Sequence, residues 1–142
     1  MSDVTPASDD LVDVIVEVPR MSFIKWGAAG GVDFVSPVPC PFNYGSAVGV
    51  SGADGDPVDI VWLGPRRRRG SRARVPVVAV VRFTDRGLRD DKWVCSDRPL
   101  RRRDRAALQV FFQMYALLKR STGRGPSAFE GLAAADALRS GA

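Results

Sequence analysis

Residues 52–65 read GADGDPVDIVWLGP. Asp54, Asp56 and Asp59 fall within six positions and run directly into an apolar stretch. Aspartate and glycine favour turns, so the acidic part alone reads as a solvated turn. A calcium loop of the EF-hand kind needs glycine at its sixth position and glutamate at its twelfth. Counted from Asp54, those positions hold Asp59 and Pro65. The apolar part, Val58 to Leu63, is rich in β-formers and predicts a strand.

A second acidic group lies downstream. Val75 to Phe83 (VPVVAVVRF) predicts a largely buried strand, Asp85 to Asp91 (DRGLRDD) a turn, and Lys92 to Cys95 the opening of another strand. If the strands at 58–63 and 75–83 pair as neighbours, Asp54, Asp59, Asp85 and Asp90 meet at one rim of a barrel. Carboxylates gathered in one pocket cannot all stay ionised without compensating charge. The chain has no histidine. That excludes zinc centres, His-based triads and imidazole bases. Hard oxygen ligands alone suit Mg²⁺ or Mn²⁺. Lys92 follows Asp90 by two residues and shares its face of an extended strand. Acidic cluster, metal and ammonium together make a place to hold phosphate.

The remainder fits one domain. The 142 residues are 45% hydrophobic and 26% charged, an ordinary globular composition. Residues 1–10 predict a frayed tail and residues 11–142 a single domain. Leu11 to Val18 predicts a strand stopped by Pro19, with Glu17 near its end. Phe23 to Trp26 predicts a short strand, Gly27 to Gly31 a turn, Val32 to Val38 a weak strand, and Cys40 to Gly45 (CPFNYG) a loop. Arg66 to Arg74 predicts a basic loop. From Asp104 to Arg120 the period changes: Leu108, Phe111, Phe112, Tyr115 and Leu118 form a helical stripe, with Asp104 as N-cap. Ser127 to Glu130 has the form of a capping box and predicts a second helix through about Arg139. Short strands followed by two helices predict an α+β, mainly β chain: a small barrel with helices packed outside.

No apolar run reaches the length of a membrane span, and the N-terminus lacks a signal-peptide pattern. Cys40 and Cys95 read as reduced thiols of a cytoplasmic protein. Net charge is +5, and 18 of the 21 basic residues are arginine. A basic balance attracts anions. The arginine loop with Trp26, Trp62 and Trp93 raises single-stranded nucleic acid as a ligand. Each tryptophan sits in a strand-like apolar setting, which favours core packing.

Several motifs agree in order and spacing. Asp54-Gly55-Asp56-Pro57-Val58-Asp59 resembles the D-G-D-P-x-D signature of the family I soluble inorganic pyrophosphatases. Val16-Glu17-Val18-Pro19, Ile24-Lys25-Trp26 and Pro41-Phe42-Asn43-Tyr44-Gly45 are similar to further segments of that family. So are Val80 to Lys92 and Phe111-Phe112-Gln113-Met114-Tyr115. The resemblance runs from about Val14 to Leu138.

It implies an OB-like, five-stranded closed barrel and Mg²⁺-dependent (or Mn²⁺-dependent) hydrolysis of pyrophosphate. Asp54, Asp59, Asp85 and Asp90 are implied as metal ligands, with Glu17 acting through bound water. Asp56 is implied to deprotonate the attacking water. Lys25, Lys92, Tyr44 and Tyr115 are implied to contact phosphate. A homo-oligomer is implied as well. Three positions depart from the pattern: Gly27 stands where an acid is usual, residues 32–34 lack an arginine, and Ala116 replaces a lysine. Weakened catalysis is therefore expected. The alternatives are a degenerate relative kept for binding or assembly, or a hydrolase of another small phosphate compound. Lys119 and Arg120, four and five residues past Tyr115, read as a solvated helix end, and Lys119 as a candidate replacement on Tyr115's face.

Overall fold

A computed structural model describes residues 11–23, 25–26, 34–35, 39–52, 55–121 and 126–134. Its elements are β1 (Leu11–Val18), β2 (Lys25–Trp26), β3 (Phe34–Val35), β4 (Asn43–Ser51), β5 (Pro57–Trp62), β6 (Arg72–Asp85), β7 (Leu88–Arg89), β8 (Lys92–Cys95), α1 (Arg102–Ser121) and β9 (Ser127–Ala134). The expected tail at 1–10 and turn at Gly27 to Gly31 lie outside the described residues.

Five strands close on themselves in the order β1-β4-β5-β8-β6, and β6 returns to β1. The pairings are antiparallel except β5 with β8. The expected β5–β6 neighbourhood is therefore corrected: β8 lies between them, in contact with both. Carboxylates from β5 and from the end of β6 reach one region through that intermediate strand.

Two apolar layers follow from the pleat. Val12, Val14, Val16, Val58, Ile60, Trp62, Val75, Val77 and Trp93 fill the barrel interior. Val61, Leu63, Ala79, Val81, Phe83 and Val94 line the outer wall and meet Leu108, Phe111, Phe112 and Tyr115 of α1. Burial on both faces explains why Ile60 to Leu63 reads as an unbroken apolar run. In β6 a bulge at Val78, between the pairs Val77–Cys95 and Ala79–Val94, switches which residues face inward. Trp62 and Trp93 are both buried, as core packing requires.

Three predicted elements are corrected. Residues 127–134 form strand β9 on the edge of β6, so among the described residues one helix packs outside the barrel and not two. A strong partner overrides the helix propensity of an Ala/Leu-rich segment. Its register shift between Arg82 and Phe83 is accommodated at Gly131, with φ of 112°. The CPFNYG loop turns into strand at Asn43. Helix α1 begins at Arg102, two residues before the expected cap. Asp104 instead reaches back and accepts the Arg101 backbone N–H at 2.9 Å.

Candidate active site

The P-F-N-Y-G segment shows why its residue types are needed. Asn43 is fully buried. Its Oδ1 accepts from the backbone N–H of Arg20 (3.0 Å) and of Arg67 (2.9 Å). Its Nδ2 donates to the carbonyls of Trp62 (3.3 Å) and Pro65 (2.8 Å). One carboxamide thus fixes the ends of two loops where β4 starts. At Gly45 a Cβ would stand 1.9 Å from the Ile15 carbonyl oxygen, so β1 and β4 approach only with glycine there. Between them, Tyr44 is presented on the outer wall and buried against α1.

Ladder register builds the centre. Ser46 pairs with Asp59, and Asp59 pairs with Lys92 across the parallel β5–β8 contact. Lys92 is almost fully buried, and its Nζ donates to Asp59 Oδ2 at 2.8 Å and to Asp90 Oδ2 at 2.7 Å. The Tyr44 hydroxyl donates to the same Asp59 oxygen at 3.1 Å. Burial disfavours the Lys92 ammonium, but the carboxylate charges beside it, Asp59 first and then Asp90, outweigh it and hold the lysine well above its usual range. Burial, helped by the Asp59 charge, pushes the Tyr44 phenol up, so it stays a hydroxyl donor at neutral pH. Tyr115 is likewise raised, by burial first. Its ring stacks on Phe83 at a centroid distance of 5.3 Å.

A second lysine pair adjoins the first. Lys119 of α1 is buried, and its Nζ donates to Asp85 Oδ2. The other oxygen, Oδ1, accepts from Ser127 at 3.0 Å. Burial disfavours the Asp85 carboxylate, yet Lys119, Ser127 and the Lys92 charge together lower its pKa below the ordinary value. Lys119 is therefore no solvated helix end. Its spacing of four from Tyr115 carried the signal, and its ammonium lies 5.2 Å from that ring's centroid. Ser127 carried the signal of a helix cap in the sequence, not that of a site residue. Lys92 and Lys119 are two of only three lysines among 21 basic residues.

The remaining expected residues divide. Glu17 is exposed where β1 bulges between Val16 and Val18, and it accepts from Ser46 at 3.0 Å. Asp56 is exposed in the turn before β5, closed by the Gly52 N–H on the Asp56 carbonyl at 2.8 Å. Lys25 pairs with Val35 in the β2–β3 ribbon, and its side chain lies outside the described residues. Asp54 lies outside them altogether. Asp91, absent from the expected set, accepts the Phe83 N–H at 3.0 Å and an Arg89 contact at 3.2 Å, which holds the turn beside Asp90. Arg67 stacks over Trp62 at 4.4 Å from the ring centroid, so the arginine loop covers an aromatic face.

Comparison with known proteins defines a class, OB-like barrels with a flanking helix. The chain aligns with the inorganic pyrophosphatase of Helicobacter pylori at a TM-score of 0.70, with 22% identity, over 94% of this chain and 89% of that one. With that of Neisseria gonorrhoeae the TM-score is 0.69 at 20% identity, over 95% and 91%. A curated relative, an inorganic pyrophosphatase of Gluconobacter oxydans (strain 621H), is 30% identical over 105 residues, 67% of this chain and 61% of the relative's length. The family profile described as inorganic pyrophosphatase matches residues 14–138, and the chain belongs to that family.

Proposed function

We propose that the chain hydrolyses inorganic pyrophosphate to two phosphates with help from a divalent cation. The observation that carries this reading is the Lys92 ammonium held between Asp59 and Asp90 and joined by Tyr44. It combines a place for anion with oxygen donors for cation. The donor set fits a hard metal, because the carboxylates have no imidazole among them and both thiols are buried. Among the described residues no three acid or thiol groups converge on one ion position, and Asp54 belongs to the set proposed here. Asp54, Asp59 and Asp90 would hold Mg²⁺ or Mn²⁺, with Glu17 acting through water. The resemblance adds Asp85, both of whose oxygens are engaged by Lys119 and Ser127.

When bound, the metal supplies the Lewis acidity that makes water a nucleophile near neutral pH. Asp56, exposed to arriving water, accepts its proton. Lys25, Lys92, Tyr44 and Tyr115 hold phosphate oxygens and meet the charge that spreads over them during transfer. Phosphoryl transfer asks for positioning and charge more than covalent chemistry, so a site without histidine suffices. With Gly27, Ala116 and no arginine between Arg20 and Arg66, the clamp is less cationic than the family pattern, and slower turnover is expected. We take the working form to be a cytoplasmic homo-oligomer, which light scattering would size. No helix among the described residues is long and apolar enough to cross a membrane.

The test is phosphate release from pyrophosphate with Mg²⁺, against Asp56→Asn. Release below about 100 per second is expected, within the ordinary enzyme range of about 1–10³ per second. No release above the variant would favour the second reading, a binding or assembly role, which the incomplete clamp supports.

A further inference from the structure

Asp85 and Lys119 are placed differently from the carboxylates around Lys92. Asp59 uses one oxygen for both its partners, and its Oδ1 has none among the described residues. Asp85 spends both oxygens on protein: Oδ2 on Lys119, Oδ1 on buried Ser127. Lys119 comes from α1, Asp85 from the end of β6 and Ser127 from the start of β9, so three elements meet there. The basic residues point the same way. Arginine serves 18 times, whereas both lysines whose side chains are described are buried on site carboxylates. Lysine is a compact point charge, the side chain that most resembles a small cation.

We propose that Lys119 is a resident cation that occupies Asp85 in place of a divalent ion. Asp85 is then a positioning residue that anchors the ammonium, not a metal ligand. Seating an ion on Asp85 would require displacing a buried ammonium that has lost its hydration, and would set two like charges against each other. This proposal rests on the metal-dependent reading above.

The experiment counts Mn²⁺ bound to the full chain by equilibrium dialysis, with methylenediphosphonate equal on both sides. Circular dichroism checks the fold of each variant. Asp85→Asn should bind as many ions as the wild type. Lys119→Met, which bares the carboxylate, should bind one more, and the double variant should lose that extra ion. A lost ion in Asp85→Asn overturns the proposal, as does no gain in Lys119→Met. If Lys119→Met fails to fold, the Asp85→Asn count decides alone. Failure of the hydrolase reading appears separately, as a wild type that releases no phosphate.

Discussion

Asn43 satisfies four backbone groups with one side chain, and Ala could satisfy none of them. Stranding buried donors and acceptors costs about 1–3 kcal/mol apiece, softened where water enters. Asn43→Ala should therefore lose roughly 2–4 kcal/mol in urea unfolding and release Tyr44 from Asp59. Gly45→Ala should be worse. A methyl group 1.9 Å from a backbone oxygen forces β1 from β4, with an expected loss of about 3 kcal/mol or more and little folded yield. The site was legible at this scale where a residue type has few other uses. A tyrosine, a lysine and aspartates in fixed order pointed to phosphate and metal before any coordinates. Ser127 was legible only as a helix cap, and only the return of β9 places it on Asp85.

The elements show where local signals fail. Residues 127–134 carry a helix-start pattern, yet they pair along β6, on the edge that would otherwise stand open beyond β1. The Asn, Gly and Ser of β4 hide a strand because they serve as brace, close approach and ladder partner rather than as β-formers. The amphipathic stripe of α1 was legible because one face alone is buried. Asp104 accepts from the Arg101 backbone and lies 3.4 Å from the Arg98 guanidinium. Asp104→Ala should cost about 1 kcal/mol by thermal or urea unfolding, a typical cap-sized loss. It should leave phosphate release nearly unchanged, since Tyr115 and Lys119 lie at the other end of the helix.

On the scale of the whole molecule, the two thiols report on opening. Cys95 belongs to the barrel interior and Cys40 to the layer beneath α1. Burial pushes both up to about 12, from an ordinary value of 9.0. At pH 8 the native thiolate fraction is on the order of one in 10⁴, so iodoacetamide should label the folded chain slowly and the urea-unfolded chain at once. The pH dependence has a definite sign. Between pH 9 and about 12 the folded thiols keep protons that the unfolded chain has released, so the stability they contribute is whole below 9 and declines as pH rises. Chemical denaturation at pH 8 and pH 10.5 should show the loss, and Cys40→Ser with Cys95→Ser should remove this component of it.

The seam between β1 and β6 joins residues 11–15 to residues 72–76. During synthesis β1 leaves the ribosome before β6, so it can take β4 on one side while its other side waits until β6 emerges. Nascent chains halted before residue 72 should therefore be digested readily by protease, and resistance should arrive in one step once the ring can shut.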